Sequence, residues 1–114
     1  MHSTLIVARM NPDSRDHVAR IFEEFDRTAM PDVMGTTRRQ LFFYRGLYFH
    51  LQDFDNRVVQ GDDGGSAIQE AKSHPLFVKV SADLAPYIGA YDPSTWRSPA
   101  DAMATAFYHW TKAP

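Results

Sequence analysis

The sequence predicts a single α+β domain in which a four-stranded antiparallel sheet carries helices on one face. The chain has 114 residues, 44% of them hydrophobic and 23% charged, which is typical of one globular domain spanning residues 1–114. Segments with the two-residue period of strands alternate with amphipathic helical segments, and two strand segments meet at a tight-turn signal. The predicted order is strand, helix, strand, strand, helix, strand, which is the split βαβ or ferredoxin-like arrangement.

Composition excludes several classes of protein. The chain has no cysteine, so it can form neither a disulfide, a thiolate zinc site, an iron–sulfur cluster nor a cysteine nucleophile. The formal net charge of -2 argues against a nucleic-acid partner. No apolar run approaches the roughly 18 residues of a membrane span, and no signal peptide is evident, so we expect a cytoplasmic protein without a membrane partner. The five histidines lack short ligand spacing, and no metal site is predicted.

The first half of the predicted domain is a strand followed by a helix. Thr4–Met10 is β-rich and mostly apolar, which is typical of a central strand. Asn11 or Ser14 is the predicted helix cap, and the helix should end near Thr28, because Pro31 disfavours helical backbone before it. Helical spacing places one apolar stripe on the core side: Val18, Ile21, Phe22 and Phe25.

A β-hairpin is predicted over residues 36–54, with Arg45 and Gly46 as its two-residue loop. This loop fixes the register, so that Arg39 lies opposite Gln52 and the two strands have defined faces. One face carries Arg39, Leu41, Phe43, Tyr48, His50 and Gln52. The other carries Arg38, Gln40, Phe42, Tyr44, Leu47, Phe49 and Leu51. Both faces are substantially apolar, which predicts helices on one side and a partner subunit on the other.

The second half of the chain contains a loop, a helix and a last strand. Residues 53–66 form a polar, glycine-bearing loop. Helical patterning covers residues 66–73, breaks at His74, which is predicted to act as a cap or hinge, and continues over residues 76–85. A proline-punctuated connection follows, and residues 104–110 are predicted to form the last strand.

A candidate site lies on the first hairpin face, where Arg39 and His50 share an aromatic surface. A guanidinium held there needs an acceptor, because an unpaired buried charge is costly. In the structural interpretation, Arg39 pairs with a carboxylate such as Asp26 or reaches solvent, and His50 is satisfied by a backbone carbonyl. In the functional interpretation, the two side chains do acid–base chemistry on a ligand. The residue pattern is compatible with both.

Most of the chain resembles one family, the small aromatic polyketide cyclases of type II polyketide synthases. The resemblance is carried by Leu5–Met10, Phe25-Asp26, Arg38–Phe42, Leu47–Leu51, His74–Phe77, Tyr91–Met103 and Phe107–Trp110. Within this tetracenomycin F2 cyclase family, the Tyr91–Met103 stretch is more similar to the late-ring cyclases of angucycline and spore-pigment pathways.

The resemblance implies a cofactor-free homodimer of the dimeric α/β barrel type. Such a protein folds a poly-β-ketone intermediate and closes a late ring by intramolecular aldol condensation and dehydration, with transient contacts to synthase components. The residues proposed to act in the family fall here on Arg39, His50 and Asp26. A family histidine beside that aspartate is replaced by Phe25 in this chain.

The side chains fit this chemistry. A neutral imidazole deprotonates a methylene between two carbonyls, so His50 is the candidate base that later returns a proton to the leaving hydroxyl. Arg39 is the candidate donor to the enolate or alkoxide oxygen, and Asp26 orients the imidazole or balances Arg39. The predicted substrate-binding residues are Leu41, Phe43, Tyr48 and Gln52.

Two other functions are compatible with the same pattern. Cofactor-free quinone-forming monooxygenases share the small sheet-and-helix architecture and similar substrates. A non-catalytic polyketide-binding subunit would bind its ligand without changing a rate. The aromatic content of 13% exceeds what one helix layer needs, which predicts a flat-sided pocket beside Arg39 and His50 as well as a dimer contact on the opposite face.

Overall fold

The computed structural model describes residues 2–55, 73–97 and 99–113. Its strands are β1 (His2–Met10), β2 (Thr36–Tyr44), β3 (Leu47–Phe54) and β4 (Ile88–Ala90). Its α-helices are α1 (Arg15–Asp26), α2 (Met30–Met34) and α3 (Pro75–Leu84). The strands form one antiparallel sheet in the order β2-β3-β1-β4. The predicted α+β, ferredoxin-like class is confirmed.

The first helix begins as the sequence predicts. The side chain of Asn11 accepts a hydrogen bond of 2.8 Å from the backbone N–H of Asp13, a short 3-10 turn follows, and α1 continues from it. The helix ends at Asp26, two residues earlier than predicted, and α2 follows as an unpredicted five-residue helix. Its cap, Gly35, has a φ of 74°, a left-handed conformation that glycine adopts without strain.

The predicted hairpin and its register are confirmed. Arg45 and Gly46 have φ angles of 47° and 83°, which together define a type I′ turn that matches the twist of the flanking strands. The turn pairs Tyr44 with Leu47, and the ladder then places Arg39 opposite Gln52. The register in turn decides which side chains of β2 and β3 face the helices.

The two faces of the sheet differ in how they are covered. The face toward the helices is buried, and its residues on β1 and β3 include Thr4, Ala8, Met10, Tyr48, His50, Gln52 and Phe54. From α1 the core receives Val18, Phe22 and Phe25, and from α2 it receives Met30 and Met34. The opposite face, called the open face below, carries partly exposed or exposed apolar residues: Leu5, Val7, Phe42, Tyr44, Leu47, Phe49 and Leu51.

The last strand is not where the sequence predicts it. Residues 104–110 form no strand, and the fourth strand is β4, which pairs with the end of β1. The chain returns to β1 only briefly, through a bridge between Ile6 and Met103 and a 2.7 Å bond from the N–H of Ala104 to the carbonyl of Leu5. Residues 104–113 are exposed. β4 has only three residues, which is too short to show a two-residue period. The aromatic C-terminal segment has strand propensity but pairs with no strand among the described residues.

The remaining predictions concern the middle of the chain. Of the predicted polar loop, residues 53 and 54 belong to β3, residue 55 follows it, and the rest lies outside the described residues. The predicted helix over residues 66–73 also lies outside them, apart from Ser73 in a turn. His74 caps α3 as predicted, since its Nδ1 accepts the N–H of Leu76 at 3.1 Å. In the described ranges, no helix has the length and apolar character of a membrane span.

Candidate active site

The side chain of Arg39 is held between β2 and the end of α1. Its Nη2 atom donates to Oδ1 of Asp26 at 2.9 Å, and Nε lies 3.1 Å from both carboxylate oxygens. The Arg39 side chain is 7% exposed, whereas that of Asp26 is 38% exposed. The guanidinium lies 4.8 Å from the ring centroid of Phe22 and 5.5 Å from that of Phe25. Contact with a carboxylate and two aromatic rings fixes the guanidinium in place.

Arg39 also contacts His50, its diagonal neighbour on β3. Nη1 of Arg39 lies 2.8 Å from Nε2 of His50. Because a guanidinium only donates, the imidazole accepts this hydrogen bond at Nε2, and the proton of the neutral ring is therefore on Nδ1. Burial, followed by the positive charge of Arg39, lowers the pKa of His50 to about 3. His50 is thus a neutral imidazole at physiological pH.

Aromatic rings surround the imidazole. The ring of Phe22 packs edge-on against His50 at 5.1 Å between centroids, and the ring of Tyr48 does so at 6.2 Å. Burial raises the pKa of the Tyr48 phenol well above its ordinary value, and the nearby Arg39 charge opposes this only in part. Tyr48 therefore keeps its proton and remains a hydrogen-bond donor at any working pH.

The other predicted substrate-binding residues lie on the same face with different contacts. Gln52 is 2% exposed, and its Nε2 donates to Oγ1 of Thr36 at 2.7 Å. Leu41 and Phe43 are partly buried and pack against the core. The guanidinium of Arg15 lies 5.4 Å from the ring centroid of Phe43, on the side toward α1.

The structure therefore brings Asp26, Arg39 and His50 into one connected group. The Arg39–Asp26 pair belongs to both interpretations of the sequence, but the partner of His50 Nε2 is Arg39 and not a backbone carbonyl. Sequence reasoning placed Phe22 only in the core, although its ring contacts both Arg39 and His50. The sequence does contain a signal for this contact. Phe22 precedes Asp26 by four residues, and residues i and i+4 of a helix share a face.

The guanidinium of Arg39 has N–H groups available to a ligand. A guanidinium has five N–H groups. The hydrogen bonds to Asp26 and His50 engage one each on Nε, Nη1 and Nη2. Among the described residues, the remaining two N–H groups have no hydrogen-bond partner that the geometry identifies. A fixed, always-charged group with spare donors is suited to stabilise negative charge on an oxygen atom.

A cavity of about 280 Å³ lies on the open face and not beside Arg39. Its lining includes Val7 of β1 together with Trp96 and Met103 from the C-terminal part of the chain. Val7 alternates with the helix-facing residues of its strand, so this cavity is separated from the Arg39–His50 group by the sheet itself. The pocket that the aromatic content predicted beside Arg39 stays a prediction.

The described residues contain no cluster of three or more side chains able to hold a metal ion. At the site itself, a guanidinium beside a buried neutral imidazole repels a cation and leaves no oxygen-rich ligand set. The residues present therefore suit an anionic or oxygen-bearing organic ligand.

The sequence matches the family described as polyketide synthesis cyclase over residues 2–111. The chain belongs to the polyketide synthesis cyclase family. This polyketide cyclase is 38% identical to polyketide synthase CurG of Streptomyces cyaneus, covering 98% of this chain and 99% of the relative. It is 36% identical to tetracenomycin F2 cyclase of Streptomyces glaucescens, covering 96% and 94% of the two chains. An uncharacterized protein of Streptomyces coelicolor is 45% identical over 100% of this chain and 98% of its own.

Solved structures agree with this assignment. The structure of tetracenomycin F2 cyclase from Streptomyces glaucescens, described as a type-II polyketide cyclase, matches the polyketide cyclase with a TM-score of 0.87 and 36% identity, covering 99% and 100% of the two chains. A protein of Chloroflexus aurantiacus assigned to antibiotic biosynthesis monooxygenases has a TM-score of 0.52 at 18% identity, covering 77% and 81%, and shares the fold alone. The resemblance inferred from the sequence is confirmed.

Proposed function

We propose that this polyketide cyclase closes a late ring of a poly-β-ketone intermediate by intramolecular aldol condensation and dehydration, without a cofactor. The observation that carries the proposal is the buried guanidinium of Arg39, which Asp26 fixes and which keeps two N–H groups without a partner among the described residues. Family membership supplies the substrate class. The Tyr91–Met103 pattern favours an angucycline or spore-pigment type of pathway over the tetracenomycin type.

The first step removes a proton from a methylene group between two carbonyls, the most acidic C–H of such a chain. We assign it to Nε2 of His50, which is freed when a substrate carbonyl oxygen takes over the hydrogen bond from Nη1 of Arg39. His50 is a weak base in the free protein, since its pKa is lowered to about 3. The same guanidinium offsets this weakness, because it stabilises the enolate oxygen as the proton leaves carbon.

The second step forms the ring. The enolate carbon attacks another carbonyl carbon, a C–C bond forms, and the carbonyl electron pair moves to its oxygen. Arg39 stabilises the resulting alkoxide, which takes the proton held by His50. In the dehydration, His50 takes a further proton from the carbon next to the one that bears the new hydroxyl. The electron pair of that C–H bond forms a C=C bond, the C–O bond breaks, and the hydroxyl leaves as water with the proton from His50. Tyr48 and Gln52 bind substrate oxygens during these steps.

Apolar walls supply the remaining contribution. A flexible polyketide has many possible ring closures, and only a few conformers place the reacting carbons in contact. The rings of Phe22 and Tyr48 pack against His50, and Leu41 and Phe43 lie on the same helix-facing side, opposite His50 and Tyr48. Rigid side chains there exclude wrong conformers, which raises the rate and selects one product.

We further propose that the protein acts as a homodimer through its open face. Phe42 is 45% exposed and Tyr44 is 61% exposed on this face, where the other apolar side chains are partly exposed. The C-terminal segment adds further exposed rings, since Phe107 is 98% exposed and Trp110 is 68% exposed. Exposed large apolar side chains of this kind mark interaction surfaces, and a second copy of the chain would cover them symmetrically. The polyketide itself would arrive through transient contact with synthase components.

Reconstitution tests the proposed reaction. The purified protein would be incubated with an upstream type II synthase and its early-acting cyclases, and the products identified by mass spectrometry and NMR with and without oxygen. We expect one ring more, one water less, and the same rate in both atmospheres. Turnover that requires oxygen would identify a monooxygenase instead. Tight polyketide binding without any increase in rate would identify a non-catalytic subunit.

A further inference from the structure

Thr4 carries a buried hydroxyl that the protein leaves without a hydrogen-bond partner. The residue is 5% exposed on β1, and its Oγ1 atom is the buried side-chain oxygen or nitrogen without a partner among the residues that the structure describes. Threonine at a fully buried position normally satisfies its hydroxyl, because desolvating it without compensation is costly. An orphaned hydroxyl in a core position is therefore a candidate ligand contact.

The register places this hydroxyl in line with the candidate active site. Thr4 lies directly opposite Gln52 on β3, and Gln52 lies directly opposite Arg39 on β2. Directly opposed residues of antiparallel strands project to the same face. The three side chains therefore form one polar row across the helix-facing side of the sheet, next to the row that contains His50.

The spacing of this row suits a flat ligand. Adjacent strands lie about 4.8 Å apart, so the backbone positions of Arg39 and Thr4 are separated by about 10 Å. Arg39 presents two spare donors at one end of the row. Thr4 presents a hydroxyl at the other end, which can donate to a carbonyl oxygen and accept from a phenolic hydroxyl. Gln52, anchored by its bond to Thr36, lies between them.

We propose that Thr4, with Gln52, forms a second oxygen-binding subsite that holds a carbonyl or hydroxyl oxygen of the substrate at the end remote from Arg39. This inference rests on the proposed cyclase function. A substrate fixed at two separate oxygens, one at Arg39 and one at Thr4, can neither slide nor turn end over end, so the subsite sets which carbons meet during ring closure. Thr4 is a substrate-binding residue in this proposal and takes no part in proton transfer.

Two substitutions at this position separate the hydroxyl from the shape of the side chain. Thr4→Val removes the hydroxyl and keeps the shape, whereas Thr4→Ser keeps the hydroxyl and removes a methyl group. Ser3→Ala is the matched control, because Ser3 neighbours Thr4 on the open face and donates to Asp53 there at 2.6 Å. Thr4→Ala serves as a second hydroxyl deletion if the valine variant folds poorly.

The measurements are KM and kcat for cyclisation, the Kd for alizarin by calorimetry, and the thermal midpoint. Alizarin is a flat hydroxylated anthraquinone that probes the subsite without turnover. We expect Thr4→Val to raise KM and Kd roughly tenfold, which is about 1.4 kcal/mol. Its kcat should change less, and its thermal midpoint should equal or exceed that of the wild type, since an unpaired buried hydroxyl is removed. Thr4→Ser and Ser3→Ala should bind like the wild type.

The outcomes are distinguishable from those that test the reaction itself. If the wild type binds alizarin but cyclises nothing, the cyclase function is wrong, and the Kd ratio between the valine and serine variants still decides the subsite. Equal Kd values for all variants would overturn the subsite, as would equal weakening by Thr4→Val and Thr4→Ser. A wild type that binds neither substrate nor alizarin would overturn it as well.

Discussion

Nη1 of Arg39 donates a 2.8 Å hydrogen bond to Nε2 of His50, so the only basic lone pair of the imidazole is occupied in the free protein. This contact determines the state of both side chains. It places the ring proton on Nδ1, and it holds one edge of a guanidinium whose other edge binds Asp26. Burial lowers the pKa of His50 and so keeps the ring neutral, and the positive charge of Arg39 adds to this effect. A substrate oxygen that displaces this bond gains a cationic donor and releases a base in one event. The following predictions test that relationship.

Arg39→Lys tests whether the guanidinium stabilises the developing oxyanion. Lysine keeps the charge but loses the planar set of donors, so we expect the rate of cyclisation to fall about 100-fold, which is typical for loss of one oxyanion donor. The matched control is Arg38→Lys, on the open face, where the arginine side chain is 58% exposed. Equal rates for the wild type and Arg39→Lys would show that Arg39 has no such role.

The pH dependence of stability reports the state of His50. Its folded-state pKa is about 3, against 6.5 for the free side chain, so the unfolded chain binds more protons between these values. The free energy of unfolding therefore falls as the pH is lowered from 7 toward 3, and His50 contributes at most roughly 5 kcal/mol to this fall. Denaturant unfolding at several pH values measures it.

Two variants isolate this contribution, because each replaces one histidine and leaves every carboxylate in place. His50→Gln should lose much of the slope below pH 6.5, whereas His109→Gln, in the exposed C-terminal segment, should retain it. The same slope in His50→Gln as in the wild type would mean that His50 is not buried as a neutral ring.

The pH dependence of the rate tests the proposed base. An imidazole with an ordinary pKa would give kcat/KM an acid limb near pH 6.5. Because burial and Arg39 lower the pKa of His50 to about 3, we expect no acid limb from this residue between pH 5 and pH 7. Initial rates in buffers of constant ionic strength check this. An acid limb near pH 6.5 that disappears in His50→Gln would contradict it.

Asp26→Asn tests how much the carboxylate contributes to holding Arg39. The substitution removes the negative charge that faces the Arg39 side chain, which is 7% exposed. The Asp26 side chain is 38% exposed, so solvent screens part of the attraction between the two charges. We expect a destabilisation of about 1 to 2 kcal/mol, together with a lower cyclisation rate. Glu23→Gln is the control, since Glu23 pairs with Arg27 on the helix surface and both side chains are more than half exposed. If Asp26→Asn loses no more stability than Glu23→Gln, the Asp26–Arg39 contact does not stabilise the fold.

The homodimer is tested on the open face. We expect the wild type to sediment as a dimer at micromolar concentration, because the apolar side chains of Phe42 and Tyr44 are 45% and 61% exposed there. The double variant Phe42→Lys, Tyr44→Lys should sediment as a monomer. Val78→Lys, at a 53% exposed position of α3, is the control that should remain dimeric. A monomeric wild type would refute the proposed assembly.

The hairpin shows how much of the site a sequence can define. A two-residue loop fixes the register, and the register fixes which of two alternating sets of side chains shares a face. Arg39 and His50 were therefore predicted on one face from the sequence. Thr4 was not assigned to the site, because its position opposite Gln52 depends on how β1 pairs with β3, and no turn connects these two strands.

The sequence by itself determined the order of the four strands and of α1 and α3 among them, the hairpin register and the membership of one family. Only the tertiary structure decided that β4, and not the aromatic C-terminal segment, pairs with β1, because a three-residue edge strand has no period of its own. It also decided the partner of the His50 lone pair. Packing of α1 against β2 brings Asp26 and Phe22 onto Arg39 and aims the guanidinium at the imidazole. Local propensity contains no information about such contacts between distant elements, since they depend on how the helix layer sits on the sheet.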